Sequence, residues 1–229
     1  MSDGRLLIGQ RRYSSWSLRG WLAVRLANLD VEIQVARFVR PGPTPLIEAT
    51  SPNRLVPYLE HRGAQLWESL AICEYCAEFA PALWPADRIA RAHGRSIAAE
   101  MHAGFSALRS SLPMNLRTEG RRIAIWSAAQ ADVDRITEIW RECLETWKGP
   151  WLFGRTPTIG DAMYAPVVTR FLTFQPELSA GTKAYCAAVR AHALVAEWYD
   201  AAAREPAEWL VESYEQTPTS LNAPRAIAS

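Results

Sequence analysis

The sequence predicts two domains of different class: a mixed α/β domain over residues 1–81, then an all-helical bundle over residues 88–215. Three observations carry this. Short apolar runs with strand-like alternation are interleaved with helical patterns only in the first third of the 229-residue chain. Pro81 and Pro85 bracket a break in the pattern. Beyond that break, apolar residues recur at spacings of three and four.

Taken in order, residues 5–8 read as a strand and residues 15–28 as a helix with Leu18, Trp21, Leu22, Val24 and Leu26 on its apolar side. Residues 31–39 read as a second strand, because Val31, Ile33 and Val35 alternate. Pro41, Pro43 and Pro45 then impose a loop. Residues 55–60 and 64–67 are the third and fourth strands, joined by a turn at Arg62-Gly63, and residues 69–79 are a helix. The order is βαβ, a loop, then ββα, which is that of a thioredoxin-like domain. In the second domain Ile97, Met101, Phe105, Leu108 and Leu112 form one apolar stripe along a long helix. Val133, Ile136, Ile139, Trp140, Leu144 and Trp147 mark another over residues 132–148, and helices over 158–172, 179–193 and 194–204 complete the bundle. Residues 216–229 read as a loose tail.

Composition narrows the function. A net charge of +1 argues against a nucleic-acid partner. No run of eighteen apolar residues exists, so no membrane span is expected, and the first ten residues lack the apolar stretch of a signal peptide. A cytoplasmic location is therefore expected. The four histidines show no metal-ligand spacing, and the four cysteines are too few for a disulfide scaffold, so neither a catalytic metal nor a disulfide framework is expected. Cys73-x-x-Cys76 has redox spacing, but it falls inside the helix over 69–79 and reads as packing.

Four segments carry candidate chemistry. Tyr13-Ser14-Ser15-Trp16-Ser17-Leu18-Arg19 opens the first helix, where unpaired backbone N–H groups favour an anion and the Ser14 hydroxyl can donate to a thiolate. At Leu55-Val56-Pro57 an X-Pro bond precedes a strand; a cis bond there would leave the Val56 backbone free to pair with an extended peptide. Glu68-Ser69 lies at a strand-to-helix junction, where Ser69 and the N–H groups beyond it suit a carboxylate and Glu68 suits an ammonium. Thr158 and Asp161 have capping-box spacing and read as structural. Taken singly, the first three segments fit plain helix caps and an edge-strand proline at least as well.

In this order and context the four segments resemble the cytosolic glutathione transferase superfamily. The SSxSxR run at residues 14–19 resembles its serine-dependent, zeta-like branch, with Trp16 where that branch has cysteine and Glu68 where it has glutamine. The resemblance implies that Ser14 assists the glutathione thiol as the catalytic residue. It implies glutathione contacts at Ser15, at Val56 through its backbone, and at Glu68 and Ser69. It further implies glutathione as cosubstrate without a metal, a small electrophile of hydrophobic or mixed character in the cleft between the domains, and a homodimer. Whether Ser14 or Ser15 dominates stays open. Two alternatives stand beside a transferase: a glutathione-dependent isomerase of the maleylacetoacetate type, and a non-catalytic glutathione-binding module. Arg11, Arg12, Arg117, Arg121 and Arg122, with His102, Phe105 and Arg109, are candidates for the cleft edge, although a solvated surface is the better reading of the first five and a place in the core the better reading of Phe105.

Overall fold

The computed structural model describes residues 2–118, 120, 123 and 125–215. Arg121, Arg122 and the expected tail over 216–229 lie outside the described residues. The first domain contains β1 (Gly4–Gly9), α1 (Ser15–Leu26), β2 (Glu32–Ala36), α2 (Pro45–Thr50), β3 (Tyr58–His61), β4 (Ala64–Trp67) and α3 (Ser69–Phe79). Its sheet has the order β2-β1-β3-β4, with β1 parallel to β2 and the other pairs antiparallel. This is the expected thioredoxin-like arrangement. Strand alternation serves both faces: Leu6, Ile8 and Leu59 enter the main core, while Leu7, Ala36 and Tyr58 pack against Ile47 of α2.

Two strands are shorter than expected. The second ends at Ala36, its last partner being Gly9, after which Phe38 N–H donates to the Gln10 side chain and Val39 N–H to Thr44 Oγ1. The third begins only at Tyr58, because Pro57 has no N–H to give a ladder and Leu55 N–H is taken by Asn53 Oδ1.

The second domain is helical: α4 (Arg88–Ala103), α5 (Ser106–Ser111), α6 (Ser127–Trp147), α7 (Ile159–Phe174), α8 (Ala180–Ala191), α9 (Ala193–Ala203) and the short α10 (Glu212–Glu215). The expected long helix is interrupted. Gly104 ends α4 and Phe105 adopts left-handed backbone at φ 59°, so the stripe runs over two helices, although all five of its residues are buried. Asp132 of α6 accepts from Leu108 N–H in the first turn of α5. Helix α7 is buried on nearly every side and sits at the centre of the molecule against α1, α4 and α8. Its start is held by Asp161, which is buried and accepts from Leu152 N–H, Thr158 N–H, the Thr158 hydroxyl and the Tyr185 hydroxyl. No helix among the described residues is long and apolar enough to cross a membrane.

All four cysteines are free and buried. Burial pushes the thiols of Cys76, Cys143 and Cys186 up to about 12, and that of Cys73 upward as well. The CxxC pair on α3 is therefore packing, with no ionised sulfur at neutral pH. Trp67 stands 43% exposed on β4 at the sheet edge.

Candidate active site

The loop from β1 into α1 places Ser14 at the helix N-cap, with extended backbone (φ −85°, ψ 91°). Its Oγ accepts from Ser17 N–H at 3.3 Å, the usual capping bond. Its own hydroxyl donates to Ser17 Oγ at 2.7 Å, and Ser17 Oγ also accepts from Gly9 N–H at 2.9 Å. Ser15, the first residue of α1, is 6% exposed like Ser14. Helix α1 lies directly on the loop that precedes β3: a Cβ at Gly20 would stand 2.8 Å from Pro57 Cγ, so only glycine permits this approach. The Val56–Pro57 bond is cis.

At the β4–α3 junction the N-cap is Glu68, not Ser69. Glu68 has φ 66°, and Ser69 is the first helical residue. A serine in the first turn has no N-cap bond to make, and the buried Ser69 Oγ has no hydrogen-bond partner among the described residues. The Glu68 carboxylate accepts from Asn53 Nδ2 at 3.2 Å and lies 3.5 Å from His102 Nε2.

These elements enclose a cavity of about 740 Å³. Ser14, Ser15, Val56, Glu68 and Ser69, the five sequence candidates, all line it. So do residues that sequence reasoning passed over: Trp16, Asn53, Arg40, Arg54, Arg170 and Tyr214. One signal for Arg170 was available, since it is the lone cation in an otherwise apolar stretch of α7. Arg109 lines the cavity as expected, and His102 reaches its edge against Glu68 and the Trp16 ring. Phe105 belongs to the core.

On the helical-domain side the wall is cationic. Arg109 and Arg170 line it there. The Trp16 ring meets two guanidinium groups, Arg109 at 5.2 Å and Arg19 of α1, which does not line the cavity, at 4.4 Å from its centroid. Arg19 is fully buried; its Nε donates to Met163 O, and Nη1 and Nη2 have no partner among the described residues. Arg170, 3% exposed, donates to Leu112 O and Pro166 O. Burial first, then neighbouring positive charge, presses both guanidinium groups toward the neutral form; that charge is Arg170 and Arg109 for Arg19, and Arg109 for Arg170.

The other arginine candidates go elsewhere. Arg12 is buried and donates to the carbonyls of Ala202, Glu205 and Pro206, while Arg11 stacks on Trp198. Glu205 in turn accepts from the N–H groups of Arg11 and Arg12. Gln10 donates to Trp209 O, Trp198 Nε1 to Arg11 O, and the Tyr13 hydroxyl to Glu215. The C-terminal segment thus holds the loop ahead of Ser14 and turns both arginines away from the cavity. Burial, and then Glu215, push the Tyr13 phenol upward, so Tyr13 stays protonated and tied down. Arg117 pairs with Glu215 at 3.5 Å and does not line the cavity.

Two family models match the chain: the glutathione S-transferase N-terminal domain over residues 13–78 and the glutathione S-transferase C-terminal domain over residues 98–201. The chain belongs to the glutathione S-transferase family. Among relatives in this family, it is similar to a probable maleylacetoacetate isomerase of Caenorhabditis elegans, 28% identical over 74% of this chain and 79% of that protein. It is also similar to the maleylacetoacetate isomerase of Rattus norvegicus, 27% identical over 78% of this chain and 84% of that protein. Its fold is like that of a glutathione transferase homolog from Burkholderia with bound glutathione, at a TM-score of 0.68 and 22% identity, covering 89% of this chain and 100% of that one. A maleylacetoacetate isomerase from Anaeromyxobacter dehalogenans shares the fold at a TM-score of 0.59 and 21% identity, covering 90% and 94%. Within this glutathione S-transferase fold, the match over residues 13–78 contains all five candidate residues.

Proposed function

We propose that the protein is a glutathione transferase that joins the glutathione sulfur to a small electrophile with an apolar body and an anionic group, with Ser14 holding the sulfur as a thiolate. The observation that carries this is the meeting of Ser14, Ser15, Val56, Glu68 and Ser69 in one cavity. The residues fit glutathione. The partnerless Ser69 hydroxyl, at the start of α3, suits the γ-glutamyl carboxylate, and Glu68 suits its ammonium. The Val56 backbone lies outside the paired strand and suits the cysteinyl peptide group.

A free thiol titrates at about 8.5, and each unit of lowering needs about 1.4 kcal/mol of preference for the thiolate. One charge-assisted hydrogen bond from Ser14 and the start of α1 together supply that order of energy. Glutathione brings the nucleophilic sulfur. The chain's own residues hold that sulfur beside the electrophilic carbon, and the C–S bond forms as the leaving group departs with its electron pair. Arg109 and Arg170 support the anionic group: both line the cavity, and neither is ion-paired among the described residues. Trp16, Pro113 and Met114 line the same region and suit the apolar body.

A second reading is a glutathione-dependent isomerase, in which the sulfur adds and then leaves. The names of the two relatives favour it, and the arginine pair suits an acidic substrate. Calorimetry with glutathione, followed by an assay with two aromatic halides that differ only by a carboxylate, tests the transferase. Glutathione is expected to bind, to be consumed one for one, and to react faster with the acidic halide. Conversion of a cis-unsaturated keto acid with all glutathione recovered, and no reaction with either halide, would select the isomerase, and absence of glutathione binding would remove both.

The expected assembly is a homodimer. Trp67 on β4 and Phe79 at the end of α3, 43% and 42% exposed, leave apolar surface for a second copy. Sedimentation equilibrium at micromolar concentration is expected to return twice the mass of one chain; the mass of one chain would refute it.

A further inference from the structure

A tension at Ser14 points to a second hydroxyl. Ser14 is asked to donate its hydrogen to a thiolate, yet that hydrogen is engaged inward, on Ser17 Oγ at 2.7 Å. Ser17 is fully buried and does not line the cavity. Helix capping accounts for the bond from Ser17 N–H to Ser14 Oγ, but any residue would supply it. It does not account for a hydroxyl on Ser17.

We propose that Ser17 is a positioning residue that makes Ser14 an obligate donor to the glutathione sulfur, by taking over the hydrogen bond between the two serine oxygens. This rests on the transferase reading above. A hydroxyl carries one hydrogen and two lone pairs. Gly9 N–H occupies one lone pair of Ser17 Oγ and holds it in place from the end of β1. When the Ser14 hydrogen turns to the sulfur, the Ser17 hydrogen turns to Ser14 Oγ, and the contact between the two oxygens persists with its donor exchanged. Ser14 Oγ then accepts from both Ser17 N–H and Ser17 O–H, so both its lone pairs are filled. A neutral thiol needs a free lone pair to receive its S–H and finds none there, whereas a thiolate needs only a donor. The thiol proton leaves to solvent. The chain from Gly9 N–H through Ser17 and Ser14 to sulfur is also aligned head to tail, so each bond strengthens the next.

Ser17→Ala is expected to raise the midpoint of thiolate formation in the glutathione complex, followed by ultraviolet absorbance against pH. The rise expected is about half a unit to one unit, which lowers kcat/KM at neutral pH about 3- to 10-fold and is recovered in alkali. Affinity for S-methylglutathione, which has no thiol proton, is expected to stay within about twofold of the parent. In a Ser14→Ala background the same substitution is expected to change nothing further. Ser17→Cys, close in shape and a weak donor, replaces the alanine variant should that fail to fold, with the same rise expected. An unmoved or lowered midpoint, or an equal shift without Ser14, overturns the role of Ser17. A parent protein that binds glutathione without any thiolate signal overturns the transferase reading itself, and Ser17 with it.

Discussion

Ser14→Ala is expected to lower kcat/KM for conjugation at neutral pH by about 10- to 100-fold, from the loss of one charge-assisted hydrogen bond of about 1.5–3 kcal/mol. The loss belongs to the thiolate, so it appears as a higher pH for half-ionisation of bound glutathione, and alkaline buffer restores part of the rate. Ser14 also caps α1 through Ser17 N–H, so stability is expected to fall by about 0.5–2 kcal/mol. The two effects separate by measuring turnover well below the unfolding temperature. Ser15 lines the same cavity, so Ser15→Ala is the necessary companion. If that variant loses more than Ser14→Ala, the roles of the two serines are exchanged, and the N-cap geometry has misled.

The largest effect on stability is expected from Asp161→Ala, at about 3–5 kcal/mol. Four donors converge on this buried carboxylate: two backbone N–H groups, the Thr158 hydroxyl and the Tyr185 hydroxyl. Alanine leaves all four in a site that water does not reach. Burial already pushes the Asp161 carboxyl upward, and those bonds are what oppose it. The cost spreads because α7 is the shared wall of both domains: Met163 O receives Arg19 of α1, and Tyr185 ties α8 to the helix start. Urea unfolding followed by tryptophan fluorescence gives the midpoint; a change under about 1 kcal/mol would show that the donors find other partners.

The elements were legible wherever their signal is local. Alternation of Val31, Ile33 and Val35, the prolines at 41, 43 and 45, and the Thr158/Asp161 spacing each mark structure within a few residues. The break at Phe105 was not, because the stripe from Ile97 to Leu112 keeps its spacing across it and every member is buried on either side. The candidate site divides in the same way. The five candidate residues lie at the starts of α1, β3 and α3, where helix and strand termini announce themselves. The cationic wall draws Arg109 from α5 and Arg170 from α7, residues brought together only by packing. Arg11 and Arg12 sit beside Ser14 in sequence, yet turn away from the cavity because Glu205 and the carbonyls after α9 claim them.

That last arrangement bears on how the molecule is made. Trp198, Glu205, Trp209 and Glu215, which grip the stretch from Gln10 to Tyr13, leave the ribosome about two hundred residues after it. The first domain can gather its strands while synthesis continues. The turn that carries Ser14 acquires its last supports only after the helical domain has been made, so a nascent polypeptide stalled or clipped before Trp198 would carry that turn unbraced.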